Sequence, residues 1–76
     1  MREKVLEILS NIRPEFDFSE NLNFIEEGML DSFDVVTLVA DLDSTFGISI
    51  DGVDIVPENF SSIESIIDLL EKNGAK

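Results

Sequence analysis

The sequence predicts one small all-α domain over residues 1–76. Three segments space their apolar residues as amphipathic helices do: one before Pro14, one at about Ser32–Phe46 and one at about Ser62–Lys72. The alternation Ile48-Ser49-Ile50 would suit a strand, but a lone short strand has no partner here. A chain of 76 residues that is 43% hydrophobic has room for one core and is too apolar for a disordered acidic tail.

The first part of the chain predicts one helix followed by a long, anchored loop. The apolar residues of the helix recur at i, i+3, i+4 and i+7 and are Val5, Ile8, Leu9 and Ile12. Pro14 ends this helix, because the residue before a proline is pushed out of the helical region. Residues 13–31 then form a connection so long that we expect apolar side chains to anchor it to the core. The expected anchors are Phe16, Phe18, Leu22, Phe24, Ile25 and Leu30.

The second helix has the clearest amphipathic pattern in the chain. Its predicted core face is Val35, Leu38, Val39, Leu42 and Phe46. Asp31 is the expected N-cap and Asp34 completes a capping box, so Ser32 is the first helical residue and its hydroxyl points outward. Gly47 suits the left-handed conformation that ends many helices.

The last helix follows an extended link. Residues 47–60 predict little regular structure beyond one helical turn near Val53 to Val56. Ser61 and Glu64 have the spacing of a capping box, and Asn73-Gly74 is a stop signal. The predicted inner face is Ile63, Ile66, Ile67 and Leu70.

Charge is the strongest compositional signal. Five basic residues stand against seventeen acidic ones, which gives a net charge of −12. From Pro14 to Glu71 there is no basic residue, so few of the acids there can find an internal partner. This negative charge disfavours binding to nucleic acid and to anionic membranes. It favours docking of basic partner proteins, and the alternative is that the acidic surface only keeps the protein soluble. Repulsion should also raise the carboxylate pKa values, so that stability increases as the pH falls from about 7 toward about 5.

Missing residue types exclude several kinds of site. The chain has no Cys and no His, which excludes disulfides, thiolate or HExxH zinc sites and Ser-His-Asp catalysis. Asp41-x-Asp43-x-Thr45 is similar to the start of a calcium loop, but Phe46 and Gly52 stand where that loop needs Gly and Glu. No signal peptide or membrane-spanning apolar run is visible. We therefore expect a soluble, cytoplasmic monomer with no membrane insertion, no metal site and no catalytic residue.

The second helix carries an apolar stripe that its core does not need. At about 100° per residue, Phe33 lies about 160° from Val35, on the side away from the core. Val36 and Ala40 continue the stripe. An exposed aromatic residue beside a serine indicates contact with another molecule. The alternative is that the long loop folds over Phe33.

Ser32 has no sequence neighbour that could activate it. The nearest basic residue before it is Arg13 and the nearest after it is Lys72, while Asp31 and Asp34 flank it. The helix dipole favours an anion here by about 0.3–1 kcal/mol, and repulsion from one carboxylate roughly cancels that gain. Ser32 is therefore predicted to be neither a built-in nucleophile, activated by the chain itself, nor a phosphate-binding site. Either another protein modifies it, or it is only a capped helix start.

Three stretches in order resemble the acyl and peptidyl carrier protein family. They are GMLDSF at 28–33, FGISI at 46–50 and ENFSSI at 58–63. The first resembles the phosphopantetheine attachment motif of that family, and the likeness extends over roughly residues 5–70. The resemblance implies a four-helix bundle of the acyl carrier protein type, with three main helices, a short third helix around Val53 to Val56 and a long loop after helix 1.

The resemblance also implies a function. A phosphopantetheinyl transferase would attach 4′-phosphopantetheine from coenzyme A to Ser32, with Asp31 assisting, and the cofactor thiol would carry an acyl or aminoacyl group as a thioester. The chain itself would catalyse nothing and would serve loading ligases and acyl-accepting enzymes that have basic docking surfaces. The implied docking residues are Phe33, Val36 and Ala40, with Asp34, Asp41 and Asp43 as acidic surroundings.

The cargo is the least defined part of this hypothesis. Fatty-acid carriers typically have small residues before the aspartate and a Glu-rich second helix. This chain has Met29-Leu30 before Asp31, Phe33 after the serine and Ala40 where a larger residue is common. These features look more like D-alanyl and other specialised free-standing carriers, with a carrier of primary fatty-acid synthesis as the alternative. Competing classes are an unmodified acidic protein-binding module, a degenerate carrier and, most remotely, a metal-dependent enzyme.

Overall fold

The computed structural model describes residues 1–20 and 22–75, so that Asn21 of the predicted loop and Lys76 of the predicted domain lie outside the described residues. The chain forms three α-helices, which are α1 (Arg2–Ile12), α2 (Ser32–Phe46) and α3 (Ile63–Lys72). The part of the chain that the structure describes contains no β-strand, and none of its helices is long and apolar enough to cross a membrane. The predicted all-α class is confirmed.

One hydrophobic core lies among the three helices, the long loop and the link before α3. Its fully buried side chains are Val5, Leu9, Phe18, Phe24, Leu38, Leu42, Phe60, Ile66 and Leu70. The helices contribute them at the predicted spacing, because residues three and four apart share a helix face. The left-handed conformation of Gly47 (φ 64°) ends α2 as predicted, and the backbone N–H of Arg13 bonds to the Leu9 carbonyl at the end of α1 (2.9 Å).

The long loop is held by buried aromatic residues. The rings of Phe18 and Phe24 meet edge to face, with centroids 5.0 Å apart. The Phe24 backbone N–H donates to the Ser61 carbonyl (2.8 Å), which fixes the loop against the start of α3. The prediction is wrong for Leu22, which is 39% exposed, and it missed Met29, which is buried.

The link between α2 and α3 contains two 3-10 turns, Gly52–Asp54 and Pro57–Phe60. The prediction of a single short helix around Val53 to Val56 is wrong in its bounds, because one turn ends at Asp54 and Pro57 starts a second one. Lys72 Nζ donates to Oδ1 of the buried Asp54 (2.8 Å), which ties the first turn to the end of α3. This hydrogen bond raises the pKa of the Lys72 ammonium above its usual value.

The predicted cap of α3 is wrong by one residue. Ser62 caps the helix, since its Oγ accepts from the Ser65 backbone N–H (3.1 Å). Ser61 instead ends the preceding turn at 57–60, where its Oγ donates to the Glu58 carbonyl (2.9 Å). Glu64 pairs with Arg2 instead of closing a capping box (3.5 Å). On the inner face, Leu69 is buried and Ile67 is only half-buried.

Removing a core side chain from α2 should destabilise the fold far more than removing an exposed one. Leu38→Ala should lower the free energy of unfolding by about 2–5 kcal/mol, because Leu38 is fully buried and the change leaves a cavity. Val36→Ala, on the same helix but 65% exposed, should change it by less than about 0.5 kcal/mol. Urea unfolding of both variants measures the difference, and equal losses would contradict the packing described.

Candidate functional site

The start of α2 is closed by two aspartates that bond to each other's backbone. Asp31 Oδ1 accepts from the Asp34 N–H (2.9 Å), and Asp34 Oδ2 accepts from the Asp31 N–H (3.1 Å). Asp31 itself has extended backbone angles (φ −107°, ψ −175°), as an N-cap residue does. The predicted capping box is confirmed, and it fixes where the helix begins.

Ser32, the first residue of α2, is exposed at the tip of the helix. The apolar stripe beside it is also exposed. Phe33 is 85% exposed, and Val36 and Ala40 continue the stripe along the outer side of α2. The long loop does not cover Phe33, so the alternative explanation for this residue is wrong. A serine hydroxyl and a large apolar surface therefore face solvent together.

A shallow apolar groove of about 200 Å³ lies next to Ser32. Val35 and Val36 of α2 form one side of it, and Ile55 and Pro57 of the link form the other. The sequence analysis did not assign Ile55 or Pro57 to the site, because nothing in the local pattern shows which part of α2 the link will pass. The groove could accept a flexible, largely uncharged arm that starts at Ser32.

Arg13 reaches the start of α2 from the end of α1. Its Nε donates to Asp34 Oδ2 (2.7 Å) and its Nη2 donates to Asp31 Oδ2 (3.2 Å). Its Nη1 also bonds to Glu15 (3.2 Å). In the sequence, Ser32 lies far from any basic residue. In the structure this distance is closed, because Asp31 and Asp34, which flank the serine, both bond to the Arg13 guanidinium. The sequence feature that could have indicated this pairing is that Arg13 is the one basic residue between Lys4 and Lys72.

These contacts stabilise the charged forms of the groups. The pKa of Asp31 is lowered, first by the hydrogen bond from the Asp34 backbone N–H and then by the charge of Arg13. The pKa of Arg13 is raised, mainly by its bond to Asp34. The pKa values of Glu15 and Asp17 are lowered too, by a bond from the Glu15 backbone N–H and by the Ser19 hydroxyl respectively. For these carboxylates, the expectation of raised pKa values is wrong, because local donors outweigh the repulsion.

The acidic residues around the stripe differ in how they are used. Asp41 is exposed on α2. The Asp34 side chain is only 14% exposed and its Oδ2 already accepts two bonds. Asp43 Oδ1 accepts from the Ile50 N–H (3.0 Å) and so holds the link against α2. Within residues 1–20 and 22–75, no group of three or more side chains could hold a metal ion.

The charge of Asp31 should stabilise the protein at neutral pH and lose this effect in acid. Because the folded-state pKa of Asp31 lies below its unfolded value, the contribution is present above about pH 4 and is lost as the pH falls through the folded-state value. Asp31→Asn keeps the cap oxygen but removes the charge. Urea unfolding should show this variant less stable than the wild type at about pH 7, with a difference that shrinks as the pH falls below about 4. A difference that persists unchanged at low pH would contradict the charge assignment.

The comparison with known families agrees with this geometry. A family model described as the phosphopantetheine attachment site matches residues 2–70, which include α1, α2, the link and most of α3. An exposed hydroxyl at a fixed helix start, beside an apolar groove, fits a covalently attached arm of this kind. The match does not separate acyl from aminoacyl carriers. The chain belongs to the phosphopantetheine attachment family of acyl and peptidyl carrier proteins, whose covalent cofactor is 4′-phosphopantetheine.

Proposed function

We propose that the chain is a carrier that holds an acyl or aminoacyl group as a thioester on a 4′-phosphopantetheine arm attached to Ser32. The observation that carries this proposal is the exposed Ser32 hydroxyl at the capped start of α2, within the GMLDSF stretch. The cofactor supplies a terminal thiol, which the chain cannot supply itself because it contains no Cys. We also propose that the carrier domain spans residues 1–76 and that the protein is monomeric, cytoplasmic and non-catalytic.

Attachment requires a phosphopantetheinyl transferase. The Ser32 oxygen attacks the phosphorus of coenzyme A that bears the pantetheine, the pyrophosphate P–O bond breaks and 3′,5′-ADP leaves. The proton of the Ser32 hydroxyl passes to a base of the transferase complex. Asp31 precedes the serine and its side chain is exposed, although its Oδ1 accepts from the Asp34 N–H and its Oδ2 accepts from Arg13. The transferase would meet this carboxylate on its solvent-facing side. Val35, Val36, Ile55 and Pro57 would hold the attached arm against α2.

Partner enzymes are proposed to dock on the stripe of Phe33, Val36 and Ala40. Exposed apolar residues of this kind bury surface on binding, and the surrounding negative field steers basic partners toward them. Asp41 can pair directly with a partner's cation, whereas Asp34 and Asp43 add charge but already accept bonds within the chain. The partners are the transferase, a loading ligase and acyl-accepting enzymes.

For the cargo, we favour an aminoacyl or other specialised group. The outer side of α2 carries Thr37, Ser44 and Thr45 in place of a run of glutamates, and Phe33 follows the serine. A carrier of primary fatty-acid synthesis is the alternative within the family. An unmodified acidic protein-binding module is the alternative of another class, and it would use the charge field without Ser32.

Incubation with coenzyme A, Mg²⁺ and a promiscuous phosphopantetheinyl transferase should add the mass of one phosphopantetheine group. Ser32→Ala should abolish this gain, since it removes the oxygen that forms the bond. Ser44→Ala, at another exposed serine of α2, should leave it unchanged. Intact-mass spectrometry measures all three. No gain in folded, initially unmodified wild type would favour the unmodified binding module.

Truncating the exposed aromatic residue should weaken docking without unfolding the protein. Phe33→Ala should raise the transferase KM roughly tenfold, because it removes an aromatic side chain that docking would bury. The melting temperature should stay near that of the wild type, because Phe33 is exposed in the free protein. Leu22→Ala removes a partly exposed apolar side chain from the long loop, where it lies beside Arg2 and Glu64, and should leave KM unchanged. Steady-state kinetics test this, and equal KM values for both variants would count against the stripe as a docking surface.

A further inference from the structure

The capping box of α2 is unusual in its charge. Both of its side chains are carboxylates, whereas the common form pairs a hydroxyl with Glu or Gln. Each aspartate bonds to the other's backbone N–H, so the two negative charges are held close together. Like charges at this separation repel each other, and the repulsion opposes the geometry that the backbone bonds require.

One guanidinium offsets this repulsion. Arg13 bonds to Asp34 through Nε and to Asp31 through Nη2, so its planar fork bridges the two carboxylates. The two contacts are not equal. The bond to Asp34 is short and partly buried, whereas the bond to Asp31 is longer and the Asp31 side chain is 55% exposed. Solvent screens the Asp31 contact more, so the bond to Asp34 is the stronger anchor of the guanidinium.

Arg13 adds a polar link between α1 and α2, which also pack against each other in the core. It is the C-cap residue of α1, and its backbone N–H bonds to the Leu9 carbonyl. Its side chain therefore fixes the start of α2 relative to the end of α1. The other paired cations of the described chain lie elsewhere: Arg2 contacts Glu64 of α3, and Lys72 contacts Asp54 of the link.

We propose that Arg13 is a positioning residue for the modification of Ser32: its fork holds Asp31 and Asp34 together and so presents the serine to the transferase in one orientation. This inference rests on the proposed function. Arg13 touches neither cofactor nor reacting atoms in this role and acts through the two aspartates. Arginine is required, because the compact ammonium of lysine cannot bridge two carboxylates in a fixed plane.

Transferase kinetics with Arg13→Gln and Arg13→Lys test the proposal. Both variants should raise KM roughly fivefold to tenfold with a smaller change in kcat, the size of effect expected from one lost charge-assisted contact. Arg2→Gln makes the same change in net charge at the distant Glu64 pair and should keep the wild-type KM. Equal KM increases in Arg2→Gln and Arg13→Gln would show a net-charge effect and overturn the proposal, as would wild-type KM in both Arg13 variants.

A rescue variant separates positioning from general destabilisation. Arg13→Gln combined with Asp34→Asn removes the cation and one of the two repelling charges, while the Asn oxygen still accepts the Asp31 N–H. The double variant should recover at least half of the KM increase, because the repulsion that Arg13 offsets is gone. No recovery in a double variant that is as stable as Arg13→Gln would overturn the proposal.

Amide hydrogen exchange measures the effect of Arg13 on the start of α2 whether or not Ser32 is modified. In Arg13→Gln, the Asp34 amide should exchange faster than in the wild type, while the amides of Leu38 and Leu42 in the core keep their protection. Unchanged Asp34 exchange overturns the positioning role. If the wild type is never modified, the proposed function fails, and the exchange result alone decides whether Arg13 orders the start of α2. If the wild type is modified and the Arg13 variants match it, only this inference fails.

Discussion

The start of α2 depends on two carboxylates that share one cation. Asp31 and Asp34 bond to each other's backbone N–H groups, and Arg13 bridges their side chains. This arrangement fixes the first helical residue, and the packing of the apolar face against the core sets the rotation of the helix about its axis. Leu38 and Leu42 then lie in the core, and Phe33 faces solvent. A helix that began one residue later would lose the Asp31–Asp34 capping box and would make Ser32 the N-cap residue instead of the first helical residue.

The net charge of −12 sets the second constraint. Apolar burial must drive folding against the repulsion of the acids, which few cations can offset. The three paired cations of the described chain, Arg2, Arg13 and Lys72, act at the junctions between elements, where each joins residues far apart in sequence. This arrangement stabilises the fold at its junctions and leaves Asp41 on α2 exposed for partners.

Features encoded by neighbouring residues could be predicted from the sequence, and features that depend on the path of the chain could not. The bounds of α2, its capping box and the exposure of Phe33 follow from periodicity within a few residues. The Arg13 bridge and the contribution of Ile55 to the groove arise only when the loop and the link bring distant segments together. The cap of α3 depends on both kinds of feature. Ser61 and Ser62 are adjacent and either could cap the helix, and the preceding turn, which ends at Ser61, leaves Ser62 as the cap.

The most direct test of the central claim is to locate the modification within the wild-type chain. The sequence contains eight serines, so a change in total mass does not by itself identify the modified oxygen. Fragment-ion mass spectrometry of the protein after reaction with coenzyme A and a transferase assigns it. Phosphopantetheine is expected on Ser32 alone. Modification of a different serine, or none in the folded protein, would contradict it.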